Sequence, residues 1–562
     1  MKIPASLLIL SIILLLSGCS DYSSEVILES VDPLQKVFPE SAYFPEKAAH
    51  ADVARGEHAS FQFVVRSGMA IKNLKITTDV PAMGASSPAE VKTGFVGFVP
   101  VDRPTPNPGR DYLKTASGYY PDPILDDSLL HVPPVMTQPV WVTVKIPRDA
   151  EPGLYEGRIT IIGEINNREV QRSKSFTIKV YPPVIDKTSL LVTNWFSFER
   201  LDLLNKDTML EKYSADYWAY AKTLADIMAE YRQNVVLLRP LDLTEFSRTE
   251  DEWAFDFSNF NRMVRLMRDT GCAEYIEGGH IGGRLPQNWE GHFVVKVPEK
   301  SSDGWALTDY NVNNKEARNF YTQFFPALIE NLKENGWLDI YMQHIADEPI
   351  HSNKASYAEI SEFVRRLIPG VKIVEACHSS DLDGSIDIWV PQLNFLKDDF
   401  AFYQDQQKKG KEVWFYTCLG PQGNFANRFI EQPLIKTRIL HWINYRYGIT
   451  GYLHWGLNHW RPHHNNPFTM TTDMNYAGNT LPGGDMNIVY PREGRLLSSI
   501  RLEAMRDGIC DYELLKMLEA KDPEMAKKIA GKIVFNFDHY DLNILHFRKM
   551  RKEILEALSL QD

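Results

Sequence analysis

Cysteine is scarce in this chain: 5 residues in 562, widely spaced and with no Cys-x-x-Cys pair. That excludes a disulfide framework and a thiolate metal knuckle. Cys272, Cys377, Cys418 and Cys510 read instead as small buried hydrophobes, three of them in or beside apolar strand-like runs. Long basic runs are missing too. The net charge is −12, which excludes nucleic acid as a partner and mainly implies solubility. There is no Gly-x-Gly-x-x-Gly and no Walker motif, so an open nucleotide-binding sheet lacks its usual support. No internal repeat and no low-complexity segment is present. After residue 19 no apolar run reaches membrane-spanning length.

One apolar run does stand out. Ile3 to Leu16 follows a single positive charge at Lys2 and leads into Leu16-Ser-Gly-Cys19. It is short for a membrane span and resembles a bacterial lipoprotein signal, in which a lipidated Cys19 becomes the mature N-terminus. An uncleaved anchor or an ordinary signal peptide is the alternative. The expectation is a protein held to the bacterial envelope by a lipid at Cys19, with Ser20 compatible with outer-membrane sorting. The membrane face and the oligomeric state stay open.

Residues 20–185 carry β-branched and alternating runs, such as Phe61–Arg66, Gln138–Lys145, Gly157–Gly163 and Ser175–Tyr181. Turns rich in Gly, Pro, Asn and Asp separate them. This predicts a β-sandwich, closed by a linker at Tyr181-Pro-Pro-Val184. Over 186–493 strands and helices alternate. The eight strand candidates are Leu190–Trp195, Asn234–Leu238, Ala273–His280, Asp339–Ala346, Lys372–His378, Asp387–Pro391, Glu412–Cys418 and Gly451–Leu457. Helical patterns fill most gaps, and the gap between the fifth and sixth strands is too short for a full helix. The pattern predicts a (β/α)8 barrel. Residues 494–562 read as a helical tail.

The fourth candidate strand ends on Asp347-Glu348-Pro349, where barrels place their chemistry. Paired carboxylates are the equipment of sugar hydrolysis. Two adjacent residues cannot easily straddle a sugar ring as nucleophile and acid. They suit a substrate-assisted route instead, in which the sugar's own 2-acetamido oxygen attacks the anomeric carbon. One carboxylate then accepts the acetamido N–H, and the other protonates the leaving oxygen and later activates water. A second pair, Asp251-Glu252, lies in a polar stretch and reads as surface.

Three segments make the reading more specific: Ala346-Asp-Glu-Pro349, Pro482-Gly-Gly-Asp-Met-Asn-Ile-Val-Tyr-Pro491, and Ser499-Ile-Arg-Leu-Glu-Ala-Met-Arg-Asp-Gly-Ile-Cys-Asp-Tyr-Glu513. With them the chain resembles glycoside hydrolase family 123, the retaining β-N-acetylgalactosaminidases, over nearly all of its mature length. The resemblance implies an exo-acting enzyme that takes terminal β-linked GalNAc from a glycan without a cofactor. It implies Asp347 as the acetamido stabiliser and Glu348 as the general acid/base. A glycosidase of other specificity, or a non-catalytic glycan-binding surface lipoprotein, is the alternative.

Other strand ends offer candidate substrate contacts: Asn194 and Trp195, Glu277 and His280, Gln392 and Asn394, Trp414 and Tyr416, then His454, Trp455, Asn458 and Trp460. Tyr416 is the candidate donor to the acetamido carbonyl, and Trp455 the candidate aromatic wall. His454, His459, His463 and His464 lack the spacing of a zinc motif, so no metal is expected. Glu503, Arg506, Asp507 and Asp511 recur at helical spacing and read as a salt-bridged face docking the tail on the barrel.

Overall fold

The computed structural model describes residues 25–560, apart from 43, 45–47, 85–88, 199–209, 286–287, 303 and 461–465. Cys19, His463 and His464 lie outside the described residues. Two compact units emerge, one holding the chain through Phe98 plus Ile124–Val184, the other Val99–Pro123 plus Ile185 onward. Residues 99–123 thus group with the barrel, although the sequence pattern assigns them to the sandwich. Buried polar pairs explain this: Asp122 accepts from Arg501 at 2.7 Å, and Thr105 N–H donates to Glu431 at 3.0 Å.

The first unit is a sandwich of two five-stranded sheets. Its core is the inward set of alternating apolar residues, among them Phe61, Phe63, Val140, Val142, Ile159, Ile161, Phe176 and Ile178. Gly157 is required where the strand passes the Phe176 ring, since a Cβ there would lie 2.4 Å from it.

The second unit is an eight-stranded parallel barrel. Its strands run Leu191–Asn194, Val235–Leu238, Tyr275–Gly278, Tyr341–Gln343, Lys372–Cys377, Ile388–Pro391, Glu412–Thr417 and Gly451–His454. Ladders join each neighbour from the second strand round to the eighth and back to the first. Side chains bridge the seam between first and second strands. Val192 N–H donates to Asn234 Oδ1 at 2.9 Å, and Asn234 Nδ2 donates to Leu190 O at 3.1 Å. Gln233 and Asn194 exchange two more bonds, each 3.2 Å. Two carboxamides therefore satisfy backbone groups that a ladder satisfies elsewhere.

The fourth strand is much shorter than its apolar run predicts. A single 3₁₀ turn, Leu338–Ile340, precedes it, and pairing stops at Gln343. The N–H groups of Ile345 and Ala346 turn away from the ladder to the Glu375 carboxylate, at 2.8 and 3.0 Å. A buried anion has replaced a strand partner.

The tail helix Ile500–Lys521 lies against the helix Leu434–Arg446. Asp511 accepts from Arg438 at 2.6 and 2.9 Å, from Arg551 at 2.8 Å and from Trp442 Nε1 at 3.0 Å. Arg506 pairs with Glu503 at 2.7 Å. Glu513 accepts from Ser189 N–H at 2.7 Å and Leu190 N–H at 3.1 Å, which anchors the entrance of the first barrel strand. The salt-bridged face is thus buried rather than solvated. Among the described residues no helix is long and apolar enough to cross a membrane.

The two helices meet at Gly508, where a Cβ would sit 2.6 Å from the Arg438 carbonyl oxygen. Gly508→Val is expected to destabilise the protein by about 1–3 kcal/mol through overpacking. A lowered Tm checks it, and an unchanged Tm would show that the helices can part without cost.

Candidate active site

Neighbouring residues on a strand point to opposite faces, so Asp347 and Glu348 need a bend to share a pocket. The bend is at Glu348, whose φ of 49° lies in the left-handed region that non-glycine residues rarely adopt. Glu348 N–H donates to Ala376 O on the fifth strand at 3.1 Å and latches the turn. Asp347 then faces His280 beyond the third strand, with Nε2 to Oδ1 at 3.9 Å. Glu348 faces His378 beyond the fifth strand at 3.2 Å, and the Tyr416 hydroxyl on the seventh strand donates to it. Arg284 donates to the Glu348 carbonyl while its guanidinium lies 4.0 Å above the Trp289 ring.

The surroundings set the two carboxyls apart. Burial at the cleft floor and the adjoining Glu348 charge push Asp347 up to about 6, although half of its side chain meets solvent. Burial also pushes Glu348 up, but His378, Tyr416 and Arg284 outweigh it and hold Glu348 below the ordinary glutamate value. In the unliganded site the first proton therefore goes to Asp347. Burial and the Glu348 charge push the Tyr416 phenol far up, so it stays a donor.

Beneath Asp347 lies a buried polar network. Glu375 Oε1 faces His280 Nε2 at 3.1 Å and His344 Nδ1 at 2.9 Å, while Oε2 accepts from Tyr357 at 3.1 Å as well as from two backbone N–H groups. His344 Nε2 faces Glu277 at 3.5 Å, and Glu277 accepts from Thr193 at 2.8 Å and Trp195 Nε1 at 3.1 Å. Burial alone would push His344 down, yet the flanking Glu375 and Glu277 hold it up at about 10. Burial pushes Glu375 up, but His344 and His280 overcome it and bring the carboxyl down to about 2. His344 is thus an imidazolium locked between two carboxylates.

His280, His344 and Glu375 also bring donor atoms within 4.8 Å of one another, as a metal site would. The chemistry fits a proton better: both ring nitrogens of His344 already serve carboxylates, and a cation would have to displace its proton.

The expected substrate residues separate into two groups. Tyr416 and His280 reach the carboxylates directly. Gln392 supports Tyr416, with its Nε2 3.4 Å from the hydroxyl. Trp195 lies edge-on to His280 and His344, at 5.4 and 5.6 Å, beneath the site. Trp455 is half-buried and tied to Asp485 at 3.0 Å. The others are committed to protein. Trp414 fills the barrel core. Asn194 accepts from Arg428 at 2.6 Å, and His454 Nδ1 faces Arg428 at 2.8 Å, burial pushing this imidazole well below its ordinary value. Asn458 exchanges bonds with the Ser197 backbone, both 2.9 Å, and Trp460 donates to Val489 O at 3.3 Å. Asn394 lies half-buried on the short helix Leu393–Asp398, with no contact to the pair among those described.

His378, Arg284, Trp289, His344 and Glu375 were not singled out from the sequence. Two carried a signal: His344 and Glu375 each interrupt an otherwise apolar strand run. Arg284 ends a short strand, Gly282–Arg284, of a three-stranded sheet inserted after the third barrel strand, Trp289 lies in the turn that follows, and neither carried a signal. A cavity of about 780 Å³ lies over the first two strand ends, lined by Phe196, Phe198, Leu241, Phe246 and Trp305. A smaller one of about 290 Å³ shares Arg239 with it and reaches His280.

Two carboxylates at the end of a barrel strand are equipment suited to glycoside hydrolysis. The family model of the glycoside hydrolase 123 catalytic domain matches residues 194–518, and that of the glycoside hydrolase 123 N-terminal domain matches 35–163. The chain belongs to glycoside hydrolase family 123. Among solved structures, a family 123 glycoside hydrolase from Clostridium perfringens, described for glycolipid glycan hydrolysis, superposes with a TM-score of 0.74. It is 16% identical, and the match covers 95% of this chain and 98% of that one. A putative glycoside hydrolase from Bacteroides vulgatus matches at 9% identity and a TM-score of 0.31, over 84% and 79% of the two chains, too loosely to support any argument. Among curated proteins no match was found.

The buried network has a pH signature. Below the ordinary histidine value of 6.5 the His344 contribution to stability is whole, and it is lost as pH rises through about 10. The Glu375 contribution is whole above the ordinary glutamate value of 4.5 and is lost as pH falls through about 2. Glu375→Gln is expected to cost about 3–5 kcal/mol near pH 6. Thermal melts should show its Tm gap to wild type narrowing at pH 10; a gap constant across that range would mean His344 is not charged.

Proposed function

We propose that the chain is an exo-acting β-N-acetylgalactosaminidase that works by a retaining, substrate-assisted route. The observation that carries this is the bend at Glu348, which gives two adjacent carboxylates different partners, His280 for Asp347 and His378 for Glu348. Such a pair cannot flank a sugar ring, and it can divide the two tasks of acetamido participation.

Glu348 is the general acid and Asp347 the acetamido stabiliser. In the empty site the proton order is opposite, and substrate reverses it. An acetamido N–H donated to Asp347 favours its ionised form. A leaving oxygen against Glu348 displaces the Tyr416 hydroxyl that holds Glu348 ionised. Tyr416 is then free to donate to the acetamido carbonyl. The carbonyl oxygen bonds to C1 as the C1–O bond breaks, and the Glu348 proton goes to the leaving group. Asp347 stabilises the charge on the oxazolinium nitrogen. Water then attacks C1 as the bond from C1 to the acetamido oxygen breaks and restores the acetamido group, and the water yields its proton to Glu348, giving net retention. We further place the protein on the bacterial envelope through a lipid at Cys19, a reading supported by the sequence of the leader alone.

Release of nitrophenol from the 4-nitrophenyl β-glycosides of GalNAc, GlcNAc and galactose tests the function. GalNAc-selective turnover is expected. Glu348→Gln should lose about 10²–10⁴-fold on natural glycans and far less on nitrophenyl leaving groups, which need little acid help. Asp347→Asn should lose about 10²–10³-fold on every acetamido substrate. Turnover of the galactoside at the GalNAc rate would contradict acetamido participation.

A further inference from the structure

On the third-strand side Asp347 feels Arg284 and faces His280, and the His280 ring is itself held. His280 is only 13% exposed, and its Nε2 lies 3.1 Å from Glu375 and 3.9 Å from Asp347. Both neighbours of this nitrogen are carboxylate oxygens, so Nε2 carries the hydrogen. The ring is fixed by His344 at 4.6 Å and by the edge of Trp195 at 5.4 Å. Trp195 and His344 both end on Glu277. Glu375 meanwhile grips the N–H groups of Ile345 and Ala346, the two residues ahead of Asp347. One buried carboxylate therefore fixes both the backbone that carries Asp347 and the imidazole that faces it.

Carboxylates crowd around His280. Glu375 lies against its Nε2, Glu277 lies beyond His344, and Asp347 faces it from the cleft side, while Arg284 and His378 contact Glu348. His280 alone lies between Glu375 and Asp347, where an N–H can serve either.

We propose that His280 is a positioning residue for Asp347: anchored on Glu375, it aims the Asp347 carboxylate at the acetamido N–H of the substrate and favours its ionised form. His280 touches no reacting atom. It sets how readily Asp347 gives up its proton when substrate arrives. The buried chain Glu277–His344–Glu375 keeps the imidazole in one orientation, and a ring without an N–H at position 280 would leave Asp347 protonated over more of the working pH range. This inference rests on the acetamido-stabilising role proposed for Asp347.

The test is the pH profile of kcat and KM on 4-nitrophenyl β-GalNAc for wild type, His280→Phe and His280→Gln, with Tm measured alongside. His280→Phe is expected to lower kcat about 10–100-fold with little change in KM. It should also move the acid limb of the profile up by about one pH unit, as Asp347 loses the imidazole that lowers its pKa. His280→Gln keeps an N–H for Glu375 and should recover part of kcat, though not the position of the limb. A drop in kcat with the acid limb unmoved in a stably folded His280→Phe would overturn the proposal and reduce His280 to a packing residue. A wild type inert toward GalNAc and GlcNAc glycosides alike would instead overturn the function reading, and this inference with it.

Discussion

The structure depends most on one buried carboxylate. Glu375 lies in the middle of the fifth barrel strand with no exposure to solvent. An ion there is tolerated only if every lone pair is used. It accepts from two backbone N–H groups, a tyrosine and two histidines. The two backbone bonds stop the fourth strand from pairing and start the bend that carries Asp347 and Glu348. The histidine bonds bring a positive charge under the cleft. Chain direction and electrostatics at the active site thus share one cause.

The rest of the catalytic unit braces that arrangement. The tail helix buries Arg501, Arg506 and Asp511, each paired, and Glu513 caps the start of the first strand. Arg501 reaches Gly484 O and Asn487 O, both 2.9 Å, and so holds the turn whose Asp485 anchors Trp455. The strand-eight loop is therefore fastened from behind by ion pairs. Such pairs add little net stability, but removing one partner is costly. They specify a single docking of tail on barrel.

Much of this was legible in the sequence. All eight barrel strands were marked by short apolar runs, because both faces of a parallel sheet are buried. Asp347 and Glu348 were found because a strand that ends on charge is conspicuous. The tail motif was conspicuous for another reason: buried ion pairs restrict residue type at many positions at once. The rest was hidden by long-range pairing. Nothing local tells that Asn458 and Trp460 spend their polar atoms on Ser197 and Val489. Nor does sequence show that His378 and Arg284 arrive beside Glu348 from separate loops. The fourth strand misled because its apolar run continues after the ladder ends.

Family membership and the fold identify a glycoside hydrolase; the division of labour between Asp347 and Glu348 is the central claim. Proton NMR of the first sugar released, before mutarotation, tests it most directly. The account requires the β-anomer of GalNAc to appear first, since acetamido attack followed by water inverts C1 twice. The α-anomer appearing first would mean direct attack by water, and would contradict the participation on which both roles rest.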